Sequence, residues 1–134
     1  MRSDPRNQSR TARARALIGT RFRLHGRDPT TGLDCVGLIA CVIGRQSLAP
    51  TGYAMRGGTA QHWSAMMDAV CARRWSNQRA GDVLLLEAGP HQFHLGIWTG
   101  DGLIHADARL RRVVETPGPL PWPMIGAWGR TKGR

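Results

Sequence analysis

Three things are scarce in this sequence: lysine, paired cysteine and long apolar runs. Lys132 is the only lysine among 19 basic residues, so arginine carries nearly all of the positive charge. The cysteines are odd in number (Cys35, Cys41 and Cys71), which argues against a closed disulfide framework. The longest apolar run lies near Val36–Ile43, far short of the roughly 20 residues that a membrane span needs. We therefore expect neither a disulfide scaffold nor a membrane-spanning helix.

We also expect no secretion signal, because the basic N-terminal segment is not followed by an apolar stretch of signal-peptide length. The chain would then be synthesised in the cytoplasm without a signal peptide. Its 134 residues suit a single domain. We predict that this domain covers residues 11–130, after a flexible basic N-terminus over residues 1–10 and before a tail over residues 131–134.

The net charge of +10 favours anionic partners. Nucleic acid, anionic cell-envelope polymers and an acidic face of a larger assembly all fit this charge. The basic residues are spread along the chain and form no recognised nucleic-acid motif, so a DNA-binding module is the least favoured class. A solvated basic surface without a specific ligand explains the charge equally well.

A helix start and a helix stop flank the longest apolar run. Asp34 precedes the run and Gly44 follows it, so we predict a buried helix over residues 35–43 with Cys35 in its first turn. Cys41 would then be a small buried apolar residue on this helix.

Two other segments have helical patterns. Residues 11–18 have a helix-forming composition, and residues 60–75 place apolar side chains at helical spacing. The second of these helices would carry Cys71 as another buried thiol. Between the predicted helices, residues 45–58 form a loop that is well placed to be one wall of a cleft.

The second half of the chain consists of short β-rich segments separated by turn residues. We predict strands over residues 82–88, 93–99, 102–106, 110–116 and 122–130. Helices followed by an antiparallel meander predict an α+β domain, with the helices packed on one side of a curled sheet.

Cys35 has the sequence context of a nucleophile. A cysteine attacks as the thiolate, and the unpaired amides and dipole of a helix N-terminus lower the pKa of a thiol. The chemistry also needs an imidazole within hydrogen-bond reach and a group that orients this imidazole. His94 and His105 are the candidates, because they lie in successive predicted strands on either side of a strong turn signal.

The length of that turn decides whether the two histidines meet. A two-residue turn between Thr99 and Gly102 makes the numbers of paired residues sum to about 201, and His94 and His105 then become diagonal neighbours on one face, about 7–8 Å apart at the backbone. A four-residue loop would place them directly opposite each other. A three-residue loop would put them on opposite faces. Two of the three geometries therefore present both histidines to Cys35.

A zinc site is the competing chemical interpretation. His91, His94, His105 and a cysteine would supply four ligands. However, His91 and His94 are three residues apart on a predicted strand, where side chains at this spacing tend to point to opposite faces. The sequence also contains no CxxC pair. We therefore predict no metal.

Three segments resemble, in order, the motifs of the NlpC-type cell-wall cysteine peptidases, which have a papain-like fold. LDCVGLI (residues 33–39) resembles the nucleophile motif D-C-S-G-L-V. AGDVLLLEAGPHQFHLGIWTGDGLIHA (residues 80–106) resembles the G-D-L run, the histidine strand and the I-H-A strand of the family. MIGAWGR (residues 124–130) resembles the closing strand, so the resemblance covers about residues 17–130.

The resemblance implies a role for each candidate residue. Cys35 takes the place of the nucleophile, His94 that of the general base and acid, and His105 that of the residue that orients His94. The backbone amide of Cys35 would contribute to the oxyanion hole. The family hydrolyses peptide bonds in bacterial peptidoglycan, commonly between D-γ-glutamyl and diaminopimelate residues, and needs no metal or organic cofactor.

Two positions depart from the family pattern. Val36 stands where a serine usually follows the cysteine. Phe22 replaces a tyrosine whose hydroxyl assists the oxyanion in the family, and loss of one such donor can cost on the order of 3 kcal/mol. His25 is close enough in sequence to substitute. We therefore place Asp34, Phe22 and His25 in the support of the oxyanion and the cleft.

The compact chain also resembles the short cell-wall peptidases encoded beside tail genes of phages and gene transfer agents. On this basis we expect it to act at the cell wall as part of a phage-like particle, with peptidoglycan and tail proteins as partners. Two alternatives remain open. One is a structural or adaptor protein of the tail with the same fold and little catalysis, and the other is a thiol amidase or acyltransferase acting on another substrate.

Overall fold

The computed structural model describes residues 5–44 and 58–132. The first part of the chain is mostly helical and the second part forms an antiparallel sheet, so the predicted α+β class is confirmed. The elements in chain order are α1 (Pro5–Ala16), β1 (Arg27–Asp28), β2 (Gly32–Leu33), α2 (Cys35–Ile43), α3 (Ala60–Asp68), β3 (Cys71–Arg74), β4 (Val83–Gly89), β5 (Gln92–Trp98), β6 (Gly102–Asp107), β7 (Arg112–Pro117) and β8 (Met124–Thr131).

Helix α2 has the predicted bounds, and both of its ends are capped as the sequence suggested. The side chain of Asp34 accepts a hydrogen bond from the Gly37 N–H at 2.8 Å. Gly44 adopts a left-handed conformation with φ of 75°, and its N–H donates to the Ala40 carbonyl. Leu38 and other apolar side chains of the helix are buried against the sheet. The cysteine at its first position is therefore held in place by the core.

Helix α1 begins at Pro5, earlier than the predicted start at residue 11, and includes part of the segment that we expected to be flexible. The reason is a long-range contact that composition does not reveal. The buried guanidinium of Arg10 donates to the Gly129 carbonyl at 2.5 Å and to the Thr131 hydroxyl at 2.6 Å. These bonds tie α1 to strand β8.

The main sheet has six strands in the order β3-β8-β4-β5-β6-β7, and all the pairings are antiparallel. Strands β4 to β7 form the predicted meander. The last strand, β8, lies between β3 and β4. Strands β1 and β2 form a separate two-stranded ribbon that leads into α2.

One predicted element is wrong in its second half. The helix expected over residues 60–75 ends at Asp68, and Cys71–Arg74 forms strand β3. Helical spacing is a local signal, whereas β3 exists because it pairs with β8. Cys71 is buried as expected, but on a strand. The predicted loop over residues 45–58 lies outside the described residues, apart from Gly58.

Apolar side chains cover both faces of the sheet. On one face the helices and the sheet share the main core, which includes Leu38, Leu95 and Ile97. On the other face a smaller cluster of Leu84, Leu86, Leu103 and Ala127 is covered by side chains from the segment before β8, Trp122 among them. Within the described ranges, no helix is both long and apolar enough to span a membrane.

Candidate active site

Cys35 is the first residue of α2, and its side chain is 0% exposed. Three backbone N–H groups, those of Leu95 on β5, of Val36 and of Cys35 itself, act on its thiol and favour a lower pKa. The last two belong to the first turn of α2, where backbone N–H groups have no partner within the helix. The helix start and the edge of β5 therefore converge on the thiol.

The thiol lies where two strands of the sheet separate. Strands β5 and β6 pair through Ile97 with Ile104 and Trp98 with Leu103, in the register predicted for a two-residue turn. Continued along β5, this register would direct the Leu95 N–H at the carbonyl of Ala106. The Leu95 N–H acts on the Cys35 thiol instead, where it favours a lower pKa. The start of α2 therefore reaches the edge of β5 at the point where β6 leaves it.

His94 and His105 meet on one face of the sheet, as the register predicted. The distance from His94 Nε2 to His105 Nδ1 is 3.0 Å, and the two rings are close to perpendicular. His105 Nε2 lies 2.9 Å from the hydroxyl oxygen of Thr116 on β7. Both histidines are buried. The structure thus contains a hydrogen-bonded chain of His94, His105 and Thr116, in which His94 immediately precedes Leu95.

Trp122 covers both histidines. Its ring packs edge-on against His94 and against His105, with centroid distances of 5.4 and 5.5 Å. Sequence reasoning missed Trp122 and Thr116 as site residues. Trp122 was placed only at the start of the last predicted strand, and Thr116 only in the predicted strand 110–116. No local pattern shows that either residue contacts a histidine.

Burial determines the charge state of the site. It raises the pKa of the Cys35 thiol to about 12, and the charge of Asp34 acts in the same direction. Burial lowers the pKa of His94 to about 3, helped by the neighbouring His105 and opposed by Asp107. The pKa of His105 is lowered for the same reason. At neutral pH the thiol and both imidazoles are therefore uncharged in the unliganded protein.

This result corrects one expectation from the sequence. The helix N-terminus was expected to lower the pKa of the Cys35 thiol. The N–H groups of Val36 and Cys35 do act in that direction, but the loss of solvation on burial outweighs them. A thiolate at Cys35 would therefore require proton transfer to a neighbouring group.

The three residues expected to support the oxyanion have different positions. Asp34 is fully buried, where it accepts from the N–H of Gly37 and from the N–H of His25 at 2.8 Å. The guanidinium of Arg27 donates to the same carboxylate at 3.1 Å. Asp34 thus joins the loop before α2 to the helix start, and His25 contributes through its backbone. Phe22 lies elsewhere, in the wall of a cleft.

An open cleft of about 400 Å³ runs beside His94. Its walls combine apolar side chains with a few polar ones: Phe22, Leu24, Ala88, Gln92, Phe93, His94, Asp107, Ala108, Arg109 and Trp122. A peptide segment fits a groove of this kind. Phe22 provides an apolar surface where the resemblance would place a hydroxyl group.

The ligand set of the alternative zinc site is not assembled. His91 is exposed in the turn between β4 and β5, with a φ of 54°. Across residues 5–44 and 58–132, no three His, Cys, Asp or Glu side chains are grouped so that they could hold a metal ion.

Neither a family model nor a curated protein matches this sequence. Solved structures do match. NlpC2 from Trichomonas vaginalis superimposes with a TM-score of 0.71 at 14% identity, covering 98% of this chain and 50% of its own. RipB, a peptidoglycan hydrolase from Mycobacterium tuberculosis, gives a TM-score of 0.63 at 15% identity, covering 96% and 66%. The NlpC/p60 domain of the peptidoglycan hydrolase SagA gives 0.57 at 26% identity, covering 92% and 97%.

These comparisons establish the fold. The chain has the papain-like α+β fold of NlpC/P60 domains, as the resemblance implied. It spans about half the length of the Trichomonas NlpC2 protein.

Proposed function

We propose that this chain is a cysteine endopeptidase that hydrolyses peptide bonds in the stem peptides of bacterial peptidoglycan. One observation carries the proposal: Cys35 begins α2 with its sulfur at the N–H of Leu95, directly after His94, whose ring lies 3.0 Å from His105. We assign Cys35 as the nucleophile, His94 as the base and His105 as the group that orients the base, from α2, β5 and β6 respectively. Similarity of fold to two peptidoglycan hydrolases supports the substrate class.

The hydrogen-bonded chain suggests which nitrogen acts as the base. His94 Nε2 is engaged by His105, so His94 Nδ1 is the nitrogen that remains for the thiol. Nδ1 accepts a proton only if Nε2 carries the hydrogen and donates it to His105 Nδ1. This tautomer requires His105 to carry its hydrogen on Nε2 and to donate it to Thr116. Thr116 would therefore favour the reactive tautomer by accepting that hydrogen bond.

Hydrolysis would then follow the usual course of covalent thiol catalysis. The proton of the Cys35 thiol moves to His94 as the sulfur attacks the scissile carbonyl carbon. The oxyanion is stabilised by the N–H of Cys35 at the helix start. His94 donates the proton to the leaving amine, which leaves a thioester, and water activated by His94 hydrolyses this thioester to release the carboxylate product.

We further propose that the scissile bond lies between D-γ-glutamyl and diaminopimelate residues and that the protein acts at the cell wall on a phage-like tail. The support for the bond is the resemblance in the nucleophile and histidine motifs. The support for the tail is the resemblance of residues 21–38 to short tail-associated peptidases.

Incubation with purified peptidoglycan tests the enzymatic proposal. The wild-type protein should release muropeptides whose masses identify the bond cleaved, and Cys35→Ala should release none because the nucleophile is gone. Cys41→Ala is the matched control, since Cys41 lies on the same helix α2. The proposal fails if a folded Cys35→Ala variant keeps the wild-type rate. New carboxyl groups at a bond other than the γ-glutamyl bond would refute only the proposed specificity.

A tail adaptor with the same fold is the second candidate. The observation that favours it is the fully buried, uncharged thiol of Cys35 together with an apolar Phe22 in the cleft wall. An adaptor of this kind needs no reactive thiol. If the protein is an adaptor, Cys35 should react with electrophiles no faster than Cys71, which is equally buried.

A further inference from the structure

Five exposed arginines lie together beside the cleft, although they come from two distant segments of the chain. One segment follows α1 and the other forms the turn between β6 and β7. We call this group the arginine rim; it consists of Arg21, Arg23, Arg109, Arg111 and Arg112. Backbone contacts join the two segments, because Arg21 forms a β-bridge with Arg112 and the Phe22 N–H donates to the Arg111 carbonyl at 2.9 Å.

The arginines of the rim form no ion pair within the described residues. Asp107 lies opposite Arg112 in the β6–β7 pairing, but its carboxylate accepts from the backbone N–H groups of Arg109 at 2.8 Å and Leu110 at 3.0 Å. The ion pairs of the described chain are elsewhere, between Arg15 and Glu115, Arg27 and Asp34, and Arg74 and Asp82. Among the described residues, none of the five guanidinium groups of the rim forms an ion pair.

Two features of the rim disfavour the folded state. Arg21 and Arg112 are bridge partners, and like charges directly opposite each other in a sheet are destabilising. Arg111 has a φ of 62°, in the left-handed region that favours glycine. Residues that depart from the local preferences of a fold in this way concentrate at functional sites. An anionic ligand would relieve the repulsion between the arginines.

The rim is continuous with the cleft. Arg109 lines the cleft together with His94, and Phe22 of the cleft wall stands between Arg21 and Arg23 in sequence. Apolar side chains accompany the charges, because Leu24 in the cleft wall is 48% exposed and Leu110 in the turn is 58% exposed. A ligand in the cleft would therefore extend directly onto the rim.

We propose that the arginine rim binds the carboxylates of the peptidoglycan stem peptides and so holds the polymer across the cleft. This inference rests on the proposed function for its substrate. Guanidinium groups pair with carboxylates through two parallel hydrogen bonds, which fixes orientation as well as charge. A stem peptide carries carboxylates on both sides of a γ-glutamyl bond, and one part of it would lie at His94 while its flanking groups lie on the rim.

Two triple variants in a Cys35→Ala background test the rim. One removes charge from the rim (Arg21→Gln, Arg109→Gln, Arg112→Gln). The other removes the same charge from exposed arginines that do not line the cleft (Arg13→Gln, Arg79→Gln, Arg130→Gln). Binding is measured by co-sedimentation with peptidoglycan stripped of its phosphate polymers, over a series of salt concentrations. We expect the rim variant to bind about tenfold more weakly at low salt and the control about twofold or less.

Thermal unfolding verifies that both variants fold, and Arg109→Gln alone provides a milder substitution. Equal weakening in the two triple variants, or none in either, would overturn the proposal. So would undiminished binding to peptidoglycan whose stem carboxylates are amidated, or binding only to walls that retain phosphate polymer. If the wild-type protein does not hydrolyse peptidoglycan but its binding still depends on the rim, only the enzymatic proposal is refuted. If the wild-type protein hydrolyses peptidoglycan but the rim substitutions do not weaken binding, only the proposed role of the rim is refuted.

Discussion

Cys35 and Cys71 are both 0% exposed, yet their surroundings differ in chemistry. The Cys71 sulfur lies 4.0 Å from the guanidinium of Arg10. The Cys35 sulfur faces backbone N–H groups at a helix start and lies beside the strand that carries His94. A guanidinium stays protonated in proteins and cannot accept a proton, whereas an imidazole can. The two thiols are thus equally buried, but Cys35 lies beside the strand that carries an imidazole, whereas Cys71 lies beside a guanidinium.

The largest expected difference between the two thiols is in their reactivity. Cys35 should react with a small thiol-directed electrophile at least about 100-fold faster than Cys71, because His94 would accept its proton. The measurement is peptide mapping by mass spectrometry after timed labelling. His94→Gln should abolish the advantage of Cys35 and leave the rate at Cys71 unchanged. Equal, slow labelling of both thiols in the wild-type protein would support the adaptor instead.

A smaller effect is expected at Thr116, which acts on Cys35 only through two histidines. Thr116→Val should lower kcat by about 10- to 100-fold with little change in KM, because His105 loses the acceptor that fixes its tautomer. Thr116→Ser keeps a hydroxyl group and should restore most of the rate. A Thr116→Val enzyme with wild-type kcat, or a Thr116→Ser enzyme as slow as Thr116→Val, would contradict this positioning role.

The free energy of unfolding should also depend on pH. The pKa of His94 falls from 6.5 to about 3 on folding, so the unfolded chain binds a proton at higher pH than the folded chain does. The stability of the fold therefore decreases as the pH falls below about 6.5. The pKa of Cys35 rises from 9.0 to about 12, so stability also decreases as pH rises above about 9. Between pH 6.5 and pH 9, His94 and Cys35 do not make the free energy of unfolding depend on pH.

Chemical denaturation at several pH values measures this profile. His94→Gln should reduce the loss of stability in acid, because the group that is buried uncharged has been removed. His62→Gln is the control, since His62 is exposed on α3. The explanation is wrong if the two variants lose stability in acid to the same extent.

Much of the site could be predicted because the sequence features that specify it lie in adjacent residues. The Asp34 cap, the start of α2 at Cys35 and the left-handed Gly44 depend on adjacent residues, and all three are present. The pairing of His94 with His105 followed from one turn length and the alternation of side chains along a strand. The resemblance to a family added the fold, which similarity to solved structures then established.

The features that the sequence did not reveal depend on contacts between distant segments. Strand β3 forms only because β8 lies beside it, so helical spacing misled over residues 69–75. The contact of Trp122 with the histidines depends on how the chain crosses the outer face of the sheet. The high pKa of the Cys35 thiol likewise comes from the depth at which the core encloses it. Each of these is a consequence of packing that no window of sequence contains.

The position of β8 between β3 and β4 sets an order of events during synthesis. While the chain emerges from the ribosome, β3 and β4 are complete long before the strand that joins them. The segment that supplies this strand also carries Trp122, which covers His94 and His105. A nascent chain that ends before Trp122 therefore lacks both the strand that joins β3 to β4 and the residue that covers the histidines. The six-stranded sheet and the covering of His94 and His105 are therefore completed together, late in synthesis.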